Sequence, residues 1–275
     1  MDLTSKRHHY YFQMPEGHTI HRAALDQRKM LVGNALEVSS PQGRFSAGAE
    51  ELNGQICTAI EAYGKHLIYH FQLGSVLHIH LGLYGQFRTA KVPAAEPRGA
   101  VRVRMLSPTH VVDINGPNTC EILDQSGLEV LIKRIGPDVL REDADREKAW
   151  AKICASRVAI GQLLMDQSVI AGIGNIYRTE ILWRQKIHPS LPGKSLGRSD
   201  FELIWNDAVK LLQIGVKYNS IITVDGVTKS KTRYGERVNI FAKEICPSCS
   251  GKIRKFEMAT RRVFSCETCQ ALPEI

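Results

Sequence analysis

The chain has 275 residues, 36 Lys and Arg against 28 Asp and Glu, a formal charge of +8, and 43% hydrophobic residues. That apolar fraction excludes a disordered tail protein, and the length suits one large domain or two ordinary ones, each with its own core. No run approaches the roughly eighteen uncharged apolar residues of a membrane span, and Met1–Gln13 lacks the apolar stretch of a secretory signal. The basic balance favours a polyanionic partner without choosing one.

In chain order, Ile20, Ala23, Ala24 and Met30 form a loose helical stripe, and beyond Gly33 the period shortens. In Ser75–Leu81, Leu77, Ile79 and Leu81 face one side and His78 and His80 the other; Ala100–Met105 alternates likewise, with Arg102 and Arg104 on its polar face. Several short strands with Gly-, Pro- and Asn-bearing turns predict an antiparallel sandwich or barrel. From about Ser126 the pattern turns helical, over Asp143–Ala155, Gln162–Gln167, Ile176–Gln185 and Ser199–Tyr218. A domain boundary is expected near 125–140. A polar, Gly- and Lys-rich stretch, Asp225–Arg237, leads to the C-terminus.

Seven cysteines are present, and four of them sit in two close pairs, Cys246-Pro-Ser-Cys249 and Cys266-Glu-Thr-Cys269, sixteen residues apart. This spacing fits a four-thiolate zinc ribbon in a reducing, cytoplasmic compartment rather than a disulfide framework. One structural Zn2+ is expected, with no position left open for a catalytic water. Gly251–Ser265 between the pairs is expected to form a β-hairpin, and its Lys252, Arg254, Lys255, Arg261 and Arg262 outnumber its Glu257. Such a finger reaches phosphate readily, but it sets a partner class and not a reaction. Cys57, Cys120 and Cys154 read most simply as core residues.

Gly172-Ile-Gly-Asn175-Ile-Tyr-Arg-Thr-Glu-Ile-Leu-Trp183 precedes Ile187-His188-Pro189. Two glycines let a backbone come close to something, and the following helix start suits a phosphate; plain loop chemistry is the alternative. Together with Met14-Pro15-Glu16-Gly17 opening a helix, Gly64-Lys65-His66-Leu67 in a strand region and the zinc ribbon, this segment completes an ordered series. The chain resembles the formamidopyrimidine-DNA glycosylase/endonuclease VIII family, with its helix–two-turns–helix motif, from Met14 to about Gln270.

The resemblance implies an α+β fold. A 15–130 catalytic β-sandwich domain with a leading helix is followed by a 131–240 helical DNA-binding domain and a 241–275 zinc ribbon. It also implies a monomer acting on damaged double-stranded DNA, as a glycosylase with abasic-site lyase activity. Pro15 corresponds to the family's N-terminal nucleophile, exposed by Met removal, and Glu16 to its general acid/base. Lys65 matches a strand lysine that contacts phosphate and donates a proton in β-elimination. Arg261, five residues before Cys266, matches the finger arginine of δ-elimination, with Arg262 as its competitor. Asn175 and His80 match phosphate-gripping positions, although an edge-strand histidine satisfied within the sheet explains His80 equally well.

Base excision requires the flipped-out nucleotide to be replaced by inserted side chains. Leu83 and Tyr84, in Leu81-Gly-Leu-Tyr-Gly85, match the endonuclease VIII pattern rather than the Met-Ser-Gly of formamidopyrimidine enzymes; two ordinary apolar turn residues are the alternative. The Arg-Arg-Phe-Gly segment of the formamidopyrimidine branch is replaced here by Asp113–Cys120 (DINGPNTC). Oxidised pyrimidines and abasic sites are therefore expected as substrates ahead of 8-oxoguanine. With Met1 as the start, Pro15 nitrogen is a tertiary amide and cannot attack. Residues 1–14 are accordingly expected to be a mis-assigned start, a cloning remnant or a segment removed by cleavage. The rival readings are a non-catalytic damaged-DNA-binding protein whose proline the tail blocks, a formamidopyrimidine/8-oxoguanine-specific glycosylase, and a zinc-ribbon transcription or processing factor.

Overall fold

Ile20, Ala24, Gln27 and Leu31 recur at helical spacing, and Gly17–Leu31 is a helix (α1) that buries this stripe. In the computed structural model, residues 15–272 are described, and the expected 1–14 segment lies outside them. The chain divides into two units, one ending at Arg134 and the other beginning at Ile135.

The first unit pairs β1 (Glu37–Ser39), β6 (Val101–Leu106), β7 (His110–Asn115) and β5 (Gln86–Lys91), in that order, into one antiparallel sheet. A second sheet has the order β2 (Cys57–Tyr63), β3 (His66–Phe71), β4 (Val76–His80) and β8 (Thr119–Leu123). Alternation decides what each face buries. Leu67, Tyr69, Leu77 and Ile79 of one sheet join Val103, Met105, Val112 and Ile114 of the other, with Ile20, Ala24 and Leu31 of α1, in one core. Tyr69 Oη donates to Gln27 Oε1 at 2.5 Å, which satisfies the phenol inside that core. The short α2 (Ser46–Leu52) packs beside β1, and α3 (Gln125–Arg134) packs against β8.

The second unit is helical up to the cysteine pairs: α4 (Arg146–Cys154), α5 (Ile160–Leu163), α6 (Asn175–Arg184) and α7 (Arg198–Tyr218). Asp145 caps α4 by accepting from Glu147 N. In α7, Phe201, Ile204, Trp205, Ala208, Leu211 and Leu212 supply the buried face. The helix expected over Gln162–Gln167 is shorter than read, because the chain leaves helical geometry after Leu163 to make two turns. Gln167 holds those turns: its Nε2 donates to Met165 O and Ile173 O at 3.0 Å, and its Oε1 accepts from Gly172 N. Strands β9 (Ile253–Met258) and β10 (Arg261–Cys266) pair as the expected hairpin.

Candidate functional site

Pro15 and Glu16 lead directly into α1. Glu16 is the residue before the first helical turn, with extended backbone (φ −114°, ψ 177°), and its side chain does not cap the helix. It is nonetheless 1% exposed.

Lys65 lies in a turn and not in a strand. Tyr63 and His66 pair across the β2–β3 hairpin, leaving Gly64 and Lys65 as the two-residue loop. Gly64 has φ +58°, the left-handed geometry that a two-residue hairpin needs at its first central position. A turn presents the ammonium at the sheet end, where a strand position would have aimed it from one face. His80 ends β4, opposite His66. Burial, then the charges of Lys65 and His78, hold the His80 imidazole below its ordinary pKa. The Lys65 charge is thus felt at His80, so the two expected phosphate contacts share one end of the sheet.

The loop after His80 is tight. Gly82 has φ +67°, and a Cβ there would stand 2.8 Å from Asn118 Cβ; one at Gly85 would stand 2.4 Å from Leu81 O. Both glycines are required by close approach. Between them Leu83 is 41% and Tyr84 78% exposed, an arrangement that matches inserting side chains on a stiff turn. Gly116-Pro117-Asn118 joins β7 to β8, and its Asn118 N donates to His80 O at 2.8 Å. Within the Asp113–Cys120 stretch only Gly116–Asn118 lies outside the strands, and this short connection braces the loop.

In the second unit, Asn175 is the first residue of α6 and is buried. Its Oδ1 accepts from Arg178 Nη2, which leaves the amide N–H groups as donors at a helix N-terminus. Arg178 also donates to Gly161 O at 3.2 Å and to Arg262 O at 3.1 Å. Asn175 and the hairpin are thereby tied together. Ala259 (φ +47°) and Thr260 (φ +63°) form the hairpin tip, and Arg261 follows as the first residue of β10.

The ligand atoms of Cys246, Cys249, Cys266 and Cys269 all lie within 4.8 Å of one another. Cys246 and Cys269 sulfurs are 3.8 Å apart, and those of Cys249 and Cys266 3.4 Å. A tetrahedron of Zn–S bonds of about 2.3 Å requires edges of about 3.8 Å, so the donor set fits a four-coordinate metal. The two knuckles share one backbone turn: Ser250 N donates to Cys246 O at 2.9 Å and Gln270 N to Cys266 O at 2.8 Å. Burial raises the Cys246 thiol, but the backbone N–H groups of Cys249 and Ser248 act against it, and it is lowered to about 6. Cys269 is pushed up to about 12, by burial and by its thiol neighbours. Four thiolates in one place need a cation to neutralise them.

With this geometry in place, the likeness to known proteins is specific. Residues 14–118 match the formamidopyrimidine-DNA glycosylase N-terminal domain, and residues 135–225 the formamidopyrimidine-DNA glycosylase H2TH domain. Endonuclease 8 1 of Mycobacterium tuberculosis is 43% identical over 267 residues, covering 94% of this chain and all of that one. The chain belongs to the formamidopyrimidine-DNA glycosylase/endonuclease VIII family. It is a DNA glycosylase of base excision repair. Endonuclease 8 of Salmonella schwarzengrund is 29% identical, covering 94% of this chain and all of that one. Lactococcus lactis Fpg (MutM), solved in complex with N7-benzyl-Fapy-dG DNA, superposes with a TM-score of 0.79 at 25% identity, covering 94% of this chain and all of that one. Another Lactococcus lactis Fpg structure, also at 25% identity and covering 94% of this chain, is a complex with DNA containing an abasic site. Among the described residues, no helix is long and apolar enough to cross a membrane.

Sequence reading missed several buried polar residues of this glycosylase. Arg178 and Glu180 sit in the middle of α6, where Asn175–Leu182 are all buried. Glu180 accepts from the backbone N–H groups of Asn239, Ile240 and Phe241 at 2.6–2.9 Å, and from Thr223 Oγ1 at 2.6 Å. An Arg and a Glu two residues apart, between Ile176-Tyr177 and Ile181-Leu182, were the available signal. Arg237 closes the polar Asp225–Arg237 stretch: it donates to Ser220 Oγ and to the carbonyls of Lys229 and Thr232, gathering the segment into a folded loop.

Proposed function

We propose that this glycosylase is bifunctional, excising oxidised pyrimidines and then cleaving the abasic strand through a covalent intermediate on Pro15. The Pro15 nitrogen attacks C1′ of the flipped nucleotide, the glycosidic bond breaks and the base leaves with a proton. Loss of the nitrogen's proton leaves an aminal; its lone pair then expels O4′, which is protonated as the C1′–O4′ bond breaks and the sugar ring opens, giving an iminium. Its electron demand lets the C2′–H bond break, the pair forming C2′=C3′ as the 3′ phosphate departs. A second elimination releases the 5′ phosphate. Glu16 moves protons during ring opening, Lys65 contacts phosphate and protonates the departing group, and Arg261 assists the second elimination. His80 and Asn175 hold flanking phosphates, and Leu83 and Tyr84 fill the vacated stack. A Zn2+ held by the four cysteines would keep the hairpin rigid behind Arg261, a structural role in which it touches no reacting atom.

The observation that carries this reading is the pair Pro15-Glu16 at the start of α1, with the carboxyl buried and not used as a helix cap. The pyrimidine preference is supported by exposed Leu83 and Tyr84 and by the short β7–β8 connection. The chemistry requires a secondary amine, so the working chain has to begin at Pro15. A cytoplasmic, nucleoid-associated location agrees with four clustered reduced thiols. The test is borohydride trapping on duplexes carrying thymine glycol or an abasic site, with the intact mass of the protein measured alongside. A covalent adduct on a chain of Pro15-start mass is expected. Binding without any adduct from that same chain would instead identify a non-catalytic damaged-DNA-binding protein.

A further inference from the structure

The face of β2–β3–β4–β8 turned away from the shared core carries a cluster of which the proposed chemistry uses only His80. Register places His66 opposite His80 and His78 opposite Glu121. Glu121 Oε1 lies 2.8 Å from His78 Nδ1, and His78 Nε2 lies 2.8 Å from His66 Nδ1. The His66 and His78 rings stack at 5.1 Å, and His66 tilts against His80 at 4.9 Å. The side chain of His78 is 4% exposed, whereas that of Glu121 is 50% exposed. A hydrogen-bonded chain therefore runs from a solvent-facing carboxylate, through a buried imidazole, to the residue next to Lys65.

The chain has a polarity. A carboxylate accepts only, so His78 Nδ1 carries the hydrogen. Neutral His78 then offers a lone pair at Nε2, His66 Nδ1 donates to it, and His66 Nε2 is left as an acceptor. His80 is set independently: Gly82 N donates to its Nδ1 at 3.2 Å, so the neutral ring presents Nε2–H. One proton added to His78 reverses the inner link. Both His78 nitrogens then donate, His66 Nδ1 becomes the acceptor, and the His66 hydrogen moves to Nε2. The charge stays on His78, and a donor now faces outward from His66.

The surrounding groups act on that charge with opposite signs. Arg134 of α3 opposes protonation of both His66 and His78; Lys65 in the turn opposes it at His66 and His80. Burial opposes it first of all, and takes His66 down to about 3. Glu121 of β8 favours it at His78. From β2, Glu61 engages His70 at 3.0 Å, and Tyr63 stands opposite His66. The free protein thus keeps the cluster neutral near neutral pH.

We propose that Glu121, His78 and His66 are positioning residues for the phosphate grip of Lys65 and His80, and that this grip takes up a proton when DNA binds. The proposal rests on the reading of Lys65 and His80 as phosphate contacts. A phosphate brought to that end of the sheet offsets the cations that keep the imidazoles neutral. By linkage, whatever raises the proton affinity of the bound state makes affinity for DNA rise as pH falls.

The test is the affinity for a duplex carrying a tetrahydrofuran abasic analogue, which needs no lyase activity. It is measured at one salt concentration from about pH 8 to about pH 5, the range over which histidine charge changes. Wild type is compared with His78→Leu, Glu121→Gln and Lys65→Ala. The wild-type affinity is expected to gain about tenfold more on acidification than that of His78→Leu, the equivalent of one pKa unit. Glu121→Gln removes the group that favours imidazolium at His78, so its gain is expected to move to lower pH. A merely structural role would weaken binding equally at every pH. Parallel curves for wild type, His78→Leu and Glu121→Gln would overturn the proposal, and Glu121→Gln changes an exposed side chain that folding tolerates. Should Lys65→Ala bind as tightly as wild type throughout, the phosphate contact itself is wrong. Weakened binding by Lys65→Ala with parallel curves for the other variants overturns the proton link alone.

Discussion

Arg178 and Glu180 lie two residues apart on α6, and neither has measurable exposure. Burying an ion costs several kcal/mol after relaxation, and charge-assisted hydrogen bonds offset that cost only when the lone pairs and protons are matched. Glu180 meets this condition through consecutive backbone N–H groups of Asn239–Phe241. Arg178 offsets part of the cost through its Nη groups, which donate to Gly161 O, Asn175 Oδ1 and Arg262 O. Buried histidines of the first unit behave differently, since they stay neutral. Burial, then His21, lowers His18 to about 3, and burial does the same at His66. In the unfolded chain both titrate near 6.5, so between those values the unfolded state binds more protons than the native one. Stability of the first unit is therefore expected to fall as pH drops below about 6.5, by up to about 1.4 kcal/mol per pH unit for each histidine. Hydrogen exchange in β3 and β4 peptides at pH 7.5 and 5 measures this, after correction for the intrinsic rate; equal protection at both would contradict the assignment.

At the scale of elements, the hairpin β9–β10 is short and two-stranded, and such ribbons are marginal in water. Its fixed points are the two knuckles at its base, the Arg178 bond to Arg262 O, and Gln270, whose Nε2 donates to Ile187 O at 2.8 Å. Removing the metal expected at the four cysteines should free the base and misplace Arg261. Chelation is expected to abolish DNA binding and to alter the tryptophan fluorescence of the second unit. Trp150, Trp183 and Trp205 all belong to the second unit, so their emission reports on it alone. Hydrogen exchange in the first unit should stay unchanged. Unaltered DNA affinity after verified metal loss would refute the role given to the hairpin. Elements also differ in how visible they were beforehand. The long α7 was legible from its apolar spacing. The four-residue α5 was not: the turns after it are tied by Gln167 to Met165 O and Ile173 O, carbonyls whose positions only the folded chain sets.

For the whole molecule, the excess of Lys and Arg is a statement about ionic strength. Each phosphate neutralised contributes a slope of about −0.9 to the dependence of log affinity on log salt for duplex DNA. Lys65→Ala and Arg261→Ala are each expected to flatten that slope by about one unit in a fluorescence-anisotropy titration. Leu83→Ala should weaken binding without changing the slope, because an inserted apolar side chain releases no counterion. A slope untouched by either cation change would place both away from phosphate.

The amino-acid sequence by itself determined the ordered motifs, the alternation in β4 and β6, the four-cysteine spacing and hence the family. These are local patterns whose periods and spacings survive without knowledge of the fold. It also marked Pro15, Glu16, Asn175 and Arg261, because each sits at a fixed offset from a motif. Tertiary structure alone decided that Lys65 occupies a hairpin turn, that Asn118 braces the Leu83–Tyr84 loop, and that Arg178 joins Asn175 to the hairpin. It also aligned Glu121, His78 and His66 into one chain across three strands. The physical reason is register. Which residues face each other across a sheet, and which carbonyls a buried guanidinium can reach, depends on pairing between segments tens of residues apart.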